Sequence, residues 1–277
     1  MRIRQRYPIR DRLKLIGILL LVLLFLCFLI KLTHGTMPTE KTATIEKLLQ
    51  TAFKPVGSTM YIWGGGWDGE DSGSGMVSTR IGVSPQWENF ARQQDETYDF
   101  NEHRYERENG LDCSGFVGWV LYNTFETEEG QTGYVTTSTD LAESLAERGW
   151  GHLIKNPHEF LPGDIISMEG HVWICLGSCE DESVLLVHSS PPGVSVCGTS
   201  IPGKNENVGE SLAVQLATKY MEKYEPQWQE KYPNRNVSTS YIENVTVFRW
   251  SKSIMQDAKE MQELSAEEIM RILSPDV

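Results

Sequence analysis

The sequence feature that most constrains this chain is an uncharged stretch near its beginning. Sixteen consecutive residues, Leu15 to Ile30, carry no charge and are nearly all Leu, Ile, Val or Phe. As a helix they would reach about 24 Å, slightly less than the ~30 Å hydrocarbon core of a bilayer. Lys14 and Lys31 bound the stretch and can place their ammonium groups at the two membrane surfaces. We therefore expect an N-terminal transmembrane helix that holds the chain in the plasma membrane through Leu15–Ile30.

The charges on either side of this stretch indicate its orientation. Residues 1–34 carry a net charge of +6, whereas the whole chain carries −13, which leaves −19 for the remainder. Because positive charge is retained in the cytoplasm, the tail is expected inside and the acidic remainder outside the membrane. No A-x-A-like cleavage site follows the stretch, where the chain reads Lys31-Leu32-Thr33-His34-Gly35. We therefore expect an uncleaved single-pass anchor in the cell membrane rather than a secreted protein.

Composition excludes several classes of function for the outer part. A hydrophobic fraction of 40% with 8 Trp and 10 Tyr is enough for a sizeable core, so wholesale disorder is excluded. The strongly acidic balance argues against nucleic acid as a partner. Glycines cluster at 64–66 and 73–75 but without the Gly-Lys-Ser/Thr ending of a phosphate loop, so nucleotide binding is not expected.

Cys113 stands at the start of a predicted helix. Asn109, Gly110 and Asp112 are residues that commonly precede a helix, and an apolar helical pattern follows over 116–125. A cysteine in the first turn would face unpaired backbone N–H groups and the positive end of the helix dipole, which favour the thiolate. This segment alone is equally compatible with a buried, unreactive cysteine.

Two histidines, His171 and His188, lie in consecutive predicted strands of one hairpin. In the register that makes one face of the hairpin apolar, Val172 lies opposite Val187 and His171 lies opposite His188. Directly opposed residues have Cβ atoms ~4.5–5.5 Å apart, so the two imidazoles are expected to meet.

A cysteine at a helix start and two neighbouring histidines suit nucleophilic acyl transfer. A free thiol of pKa ~8.5 is mostly protonated at neutral pH and needs a base within hydrogen-bond reach. We assign Cys113 as the nucleophile, His171 as the base and His188 as the group that fixes the tautomer of His171. A zinc site built on Cys175 and Cys179 is the less favoured alternative, because no C-x-x-C pair is present. Whether either cysteine pairs with Cys197 in a disulfide stays open.

The same residues belong to four blocks that, in this order, resemble the NlpC-type, papain-like bacterial cell-wall cysteine peptidases. The blocks are Tyr61–Gly65 (YIWGG), Leu111–Val117 (LDCSGFV), Leu161–Ile166 (LPGDII) with Gly170–Gly177 (GHVWICLG), and Val187–Ser189 (VHS). They fall within residues 57–198, about half of the chain.

The resemblance implies an α+β papain-like fold, with an antiparallel sheet packed against helices. It implies a hydrolase that cuts amide bonds in peptidoglycan stem peptides, next to D-glutamate and diaminopimelate or lysine. It also implies that Tyr61, Asp112 and Ser114 contact the substrate and that the backbone N–H of Cys113 belongs to the oxyanion hole. No metal and no organic cofactor is implied. An N-acetylmuramoyl amidase or acyltransferase with the same triad, and a non-catalytic wall-binding protein, are the alternatives.

This sequence departs from the family pattern in an insert between the first two blocks and in its C-terminal extension. The predicted organisation is a cytoplasmic tail and anchor at 1–34, a spacer at 35–56, a peptidase domain at 57–250 with an insert at 67–110, and a C-terminal helical extension at 251–277. The insert is acidic and rich in aromatic residues. We hypothesise that it covers the substrate groove, the alternative being a surface excursion that packs on itself.

Overall fold

The computed structural model of this chain describes residues 43–126, 128–155, 157–204 and 210–274. They belong to one compact unit that spans Thr42–Val277. The predicted membrane segment, Leu15–Ile30, lies outside the described residues. Within the described ranges, no helix combines the length and the apolar character needed to cross a membrane.

The described residues form seven α-helices and nine β-strands. The helices are α1 (Ile45–Phe53), α2 (Pro85–Gln93), α3 (Cys113–Phe125), α4 (Leu141–Glu147), α5 (Leu212–Tyr224), α6 (Pro226–Lys231) and α7 (Ala266–Leu273). The strands are β1 (Met60–Tyr61), β2 (Gly110–Leu111), β3 (Gly151–Lys155), β4 (Ile165–Met168), β5 (His171–Ser178), β6 (Val184–Ser190), β7 (Gly193–Thr199), β8 (Asn236–Val237) and β9 (Thr246–Trp250).

All nine strands join one mixed sheet in the order β2-β1-β7-β6-β5-β4-β9-β3, with β8 paired to β7. The β1–β2 and β7–β8 pairs are parallel, and the other pairs are antiparallel. Parallel pairs need long crossover connections. The insert supplies one between β1 and β2, and the segment that contains α5 and α6 supplies the other between β7 and β8.

This topology corrects the predicted fold class. The expectation of a papain-like NlpC-type fold with an antiparallel sheet is wrong, because the sheet is mixed and curves into a half-barrel with helices. The broader α+β class describes the structure. The sequence patterns could not reveal the difference, because they resolve local strand pairs but not the direction in which distant short strands return to the sheet.

Polar caps at the helix starts agree with the local sequence. Thr44, Asp112 and Ser211 each accept a hydrogen bond from the first turn of the helix that follows. The sequence Ser265-Ala266-Glu267-Glu268 has the pattern of a capping box, and the structure forms it: the Ser265 hydroxyl accepts from the backbone of Glu268, and the Glu268 carboxylate accepts from the backbone of Ser265. Side chains therefore replace the intrahelical partners that the first turns lack.

Both faces of the central sheet are covered. One face packs against α1, α3 and α5 and forms the larger hydrophobic core, which contains Val172, Ile174 and Val187. The other face carries a smaller cluster that includes Trp173 and Cys197. The central strands are consequently buried over almost their whole length, which fixes the positions of the side chains at their ends.

Helix α1, which lies in the predicted spacer, contributes to the larger core. Ile45, Leu48 and Leu49 are fully buried, and the helix packs against α3. The C-terminal segment also joins the domain. It has a single 3₁₀ turn at Thr239–Tyr241 and then β9, which lies between β3 and β4 in the sheet.

A buried ion pair ties the loop before β4 to β9. Arg249 Nε and Nη2 donate to the two oxygens of Asp164 at 2.9 and 2.7 Å. The Asp164 side chain has no exposed surface, and its burial raises the pKa of the carboxyl group despite the attraction of Arg249. The aspartate of the Gly-Asp block thus holds two strands together, and its carboxylate depends on one guanidinium for charge compensation.

Removal of that guanidinium should be costly. We expect Arg249→Gln to lower the free energy of unfolding by about 3–5 kcal/mol, because it leaves a buried carboxylate without its counter-charge. Urea unfolding measures this value. The double variant Asp164→Asn with Arg249→Gln should recover part of the loss. Equal costs for the single and double variants would contradict the assignment.

Candidate active site

Asp112 organises the start of α3. Its Oδ1 accepts hydrogen bonds from the Gly115 backbone at 2.7 Å and the Ser114 hydroxyl at 2.9 Å. Its Oδ2 accepts from the Gly64 backbone at 3.2 Å. One buried carboxylate thus caps the helix that begins at Cys113 and holds the loop that follows β1. The predicted placement of Cys113 in the first helical turn is confirmed.

Two glycines allow this loop to lie directly against the helix. A Cβ on Gly115 would come within 2.0 Å of the Gly65 carbonyl oxygen. Gly66 has a φ of +97°, which favours glycine, and its own Cβ would lie 2.5 Å from the Gly115 Cα. The backbone contact between Gly65, Gly66 and Gly115 therefore fixes the distance between the loop and the Cys113 turn.

The Cys113 thiol is buried rather than ionised by its helix. Burial, and after it the Asp112 carboxylate, raise the pKa of Cys113 to about 12. Hydrogen bonds from the backbone N–H groups of Val172, Ser114 and Cys113 itself act in the opposite direction but do not compensate. The expectation of a thiolate stabilised by the helix start is therefore not met at rest, because burial outweighs the helix dipole.

His171 and His188 meet as predicted, although their strands pair in another register. The structure places Ile174 opposite Val187, two residues away from the expected pairing, and a bulge follows between Cys175 and Gly177. A shift of two residues keeps every side chain on its face, so the histidines become diagonal neighbours. His171 Nε2 lies 3.0 Å from His188 Nδ1. This contact leaves Nδ1 of His171 as the ring nitrogen that can act on a thiol.

Both imidazoles are neutral at physiological pH. Burial lowers the pKa of His171 to about 4. Burial, the neighbouring His171 and the Arg235 guanidinium together hold the pKa of His188 well below its ordinary value of 6.5. A neutral His188 can accept the Nε2–H of His171 at Nδ1, which keeps Nδ1 of His171 free of a proton.

The start of β5 brings Cys113 close to the histidine pair. The Val172 N–H contacts the Cys113 sulfur, and Val172 directly follows His171. No hydrogen bond joins the Cys113 thiol to either histidine within the described ranges. The Tyr241 ring lies 5.3 Å from the His171 ring and 5.8 Å from the His188 ring, and burial raises the pKa of its hydroxyl to about 12. Tyr241 therefore contacts the pair as a neutral phenol.

A cavity of ≈ 390 Å³ opens beside Cys113. The predicted substrate-contacting residues Tyr61, Asp112 and Ser114 all line it, and so does Gly170, which precedes His171. Burial, followed by the charges of Cys113 and Asp112, raises the pKa of Tyr61, so its hydroxyl stays protonated and able to donate.

Asp112 lies in the cavity wall as an acid with a perturbed pKa. Burial raises the pKa of its carboxyl to about 6, against the lowering effect of its hydrogen bonds. It is therefore mostly ionised at neutral pH and gives this wall a negative charge. Ser114, which donates to it, accepts in turn from the Trp67 indole N–H at 3.0 Å.

The insert supplies part of the cavity wall. Trp67, Asp71 and Tyr105 all come from residues 67–110 and line the cavity together with Cys113. Tyr105 has a φ of +66°, and its backbone N–H donates to the Trp63 carbonyl at 2.8 Å. Half of its surface is exposed. Part of the insert therefore lies at the cavity beside Cys113 and does not pack only on itself, and its role as a cover of a substrate groove stays a hypothesis.

The described cysteines and acids do not form a metal cluster. Cys113, Cys175, Cys179 and Cys197 are all free and buried. In the described ranges, no group of three or more His, Cys, Asp or Glu side chains is arranged to hold a metal ion. The zinc site weighed for Cys175 and Cys179 is therefore not formed by these residues in the described structure.

Sequence reasoning missed three contributors to this site. Arg235 and Tyr241 lie beyond the last of the four blocks, and no local motif marks either of them. Trp67 lies in the insert, where it is one of several aromatic residues. The block Val187–Ser189 also has a structural role. Its Ser189 hydroxyl donates to the Leu111 carbonyl at 2.7 Å and ties β6 to the chain just before Asp112.

Comparison of the chain with protein-family models, with curated proteins and with solved structures gave no match.

The neutral state of His171 makes a prediction about stability. Folding lowers the pKa of His171 from 6.5 to about 4, so between these pH values the unfolded chain binds more protons than the folded chain. The contribution of His171 to stability is therefore lost as the pH falls from 6.5 to 4. Folding raises the pKa of Asp112, so the contribution of Asp112 to stability changes with pH in the opposite direction. A comparison of wild type with His171→Gln separates the contribution of His171 from that of Asp112.

Between pH 7 and pH 4, the wild type should lose about 3 kcal/mol more of its free energy of unfolding than the Gln variant does. Urea unfolding at the two pH values measures the difference. Parallel changes in the two proteins would show that His171 titrates normally in the folded state.

Proposed function

We propose that this protein is a peptidoglycan hydrolase, a cysteine endopeptidase that cuts amide bonds in stem peptides through Cys113, His171 and His188. The observation that carries the proposal is the part-buried hydrogen bond between His171 and His188, adjacent to a cysteine that stands at a helix start and lines a cavity. The ordered resemblance of four sequence blocks to the NlpC-type cell-wall peptidases supports the same reading.

The reaction would begin from a neutral pair. With the thiol protonated and His171 neutral, His171 Nδ1 acts as a general base that takes the proton as the Cys113 sulfur attacks the amide carbonyl carbon. The resulting imidazolium keeps its Nε2–H on His188, which therefore holds the ring in place and accepts part of the developing charge. General-base assistance of this kind contributes about 10²–10⁴-fold.

The remaining steps use the same groups. The oxyanion would lie near the backbone N–H of Cys113, at the start of α3, where N–H groups have no intrahelical partner. His171 then returns its proton to the leaving amine, and a water molecule hydrolyses the thioester with His171 again as base. The protonated Tyr61 hydroxyl in the cavity wall is a further donor within the site.

The cavity suits a peptide that carries an amino group. Asp112 is an ionised acid in its wall, beside the nucleophile, and complements an ammonium group such as a free amino terminus. Together, Asp112 and Ser114 are the substrate-binding residues we propose. Stem peptides rich in D-glutamate and diaminopimelate or lysine offer such groups.

We also propose that the enzyme acts at the outer face of the plasma membrane, attached through the uncharged segment Leu15–Ile30. The support is the sequence alone, with its bordering lysines and the basic tail at residues 1–34. Such a location would place the site next to the cell wall.

Replacing the nucleophile tests the proposed activity. We expect Cys113→Ala to lower the release of muropeptides from purified peptidoglycan by at least about 10³-fold, because a water-mediated path lacks the thioester intermediate. The matched control is Cys179→Ala, which removes another buried free thiol outside the cavity and should leave activity within a few-fold of wild type. Mass spectrometry of the released fragments identifies the bond that is cut.

The fragments separate the alternatives. Cleavage within the stem peptide supports the endopeptidase, whereas release of whole stem peptides from muramic acid would indicate an amidase, and a new amide bond would indicate an acyltransferase. If the wild type binds wall material but Cys113→Ala changes nothing that is released, the enzyme proposal fails and a wall-binding role takes its place.

Fractionation of cells tests the proposed location. The full chain should sediment with membranes, and removal of residues 1–34 should shift it to the soluble fraction. External protease should degrade the domain in spheroplasts without lysis. Recovery of the full chain in the soluble cytoplasm would contradict this location.

A further inference from the structure

Arg235 is a buried cation whose charge is not balanced by a carboxylate among the described residues. Only 3% of its surface is exposed. Its Nη2 donates to the Tyr232 carbonyl oxygen, while its Nε and Nη1 make no hydrogen bond to any described residue. No carboxylate within the described ranges forms an ion pair with it. An arginine in such surroundings is unfavourable, and burial lowers its own pKa, so its retention calls for a function.

The sheet register places Arg235 beside β7, the strand that pairs with the His188 strand. The Gly198 N–H donates to the Arg235 carbonyl at 2.9 Å, and Gly198 pairs with Asn236, so Arg235 adjoins Cys197. On β7, Cys197 and Ser195 share one face, and their polar atoms lie 3.6 Å apart. Ser195 is the direct partner of His188 in the β6–β7 pair. Along the sheet, Cys197 and Ser195 on β7 thus stand between Arg235 and His188, on the side of β6 opposite to β5, and the Arg235 charge acts on His188 from this side.

We propose that Arg235 is a positioning residue, one that keeps His188 as the neutral hydrogen-bond acceptor of His171 and so directs the catalytic proton to His171. The inference rests on the proposed function, because it concerns the base of that reaction. A cation beside His188 raises the free energy of any state in which His188 is protonated. A proton taken up by the imidazole pair is then carried by His171, which faces the thiol.

The other groups around His188 do not replace this effect. His171 contacts it from β5, Tyr241 from the 3₁₀ turn, and Cys197 lies close by on β7. Burial raises the pKa values of the Tyr241 hydroxyl and the Cys197 thiol, so both are uncharged at neutral pH. Arg235 is thus the permanently charged group that acts on His188, in line with the lowered pKa of that ring.

The test is the pH profile of kcat/KM for the full chain with a soluble stem peptide. Removal of the charge in Arg235→Gln should move the acid limb to higher pH by about one unit, because a proton can then reside on His188. Arg235→Lys keeps a cation and should retain the wild-type limb. Arg148→Gln is the matched control, since this arginine lies over the Tyr134 and Trp150 rings. Its acid limb should not move.

A second readout does not need turnover. Nuclear magnetic resonance of ¹⁵N-labelled imidazoles should show that His188 of the wild type takes up its proton well below the ordinary pKa of 6.5, and that it does so at higher pH in Arg235→Gln. If that variant does not fold, Arg235→Met provides a second neutral side chain of similar length. An unshifted acid limb and an unshifted His188 titration in a folded neutral variant would overturn the role of Arg235. The proposed function would still stand if Cys113 remained essential.

Discussion

The contact between the Gly64–Gly66 loop and the first turn of α3 determines the geometry of the whole site. Gly115 lies so close to the Gly65 carbonyl that a single added methyl group would collide with it. Asp112 then holds the two segments together through three hydrogen bonds. Because the loop also leads from Tyr61 into the insert, this one contact sets the position of the thiol relative to the cavity wall.

Burial explains why the Cys113 thiol and the two imidazoles are uncharged at rest. In a buried environment, separate charges on the sulfur and the imidazole are costly, so the thiol keeps its proton and both histidines remain neutral. A hydrogen bond between His171 and His188 satisfies buried ring nitrogens without creating charge. In the proposed reaction, proton transfer would therefore wait until a substrate carbonyl accepts the negative charge from the sulfur.

Local sequence patterns predicted the parts of this arrangement that depend on neighbouring residues. The helix start at Cys113 and the meeting of His171 with His188 follow from capping residues and from the alternation of one hairpin. The exact register was wrong by two residues, because alternation specifies a face but not a position along the strand, and the bulge before Gly177 left no clear mark.

The features that the sequence did not predict all depend on long-range connections. The parallel pairs of the mixed sheet arise where the insert and the α5–α6 segment return the chain to β1 and β7. The α5–α6 segment also brings Arg235 and Tyr241 back towards the histidines, about fifty residues after β6 ends. No local pattern connects these residues with a histidine on β6, since only the completed sheet brings them to one place.

Two charged groups add to the effect of burial. Besides burial, the Asp112 carboxylate raises the pKa of the Cys113 thiol, and His171 and the Arg235 guanidinium lower the pKa of His188. A cationic group of a substrate, placed against Asp112, would neutralise the first effect and ease deprotonation of Cys113 when the amide is in place. No such change reaches Arg235, because it is almost fully buried. In this proposal, a bound substrate can therefore change the pKa of Cys113, whereas the effect of Arg235 on His188 stays the same.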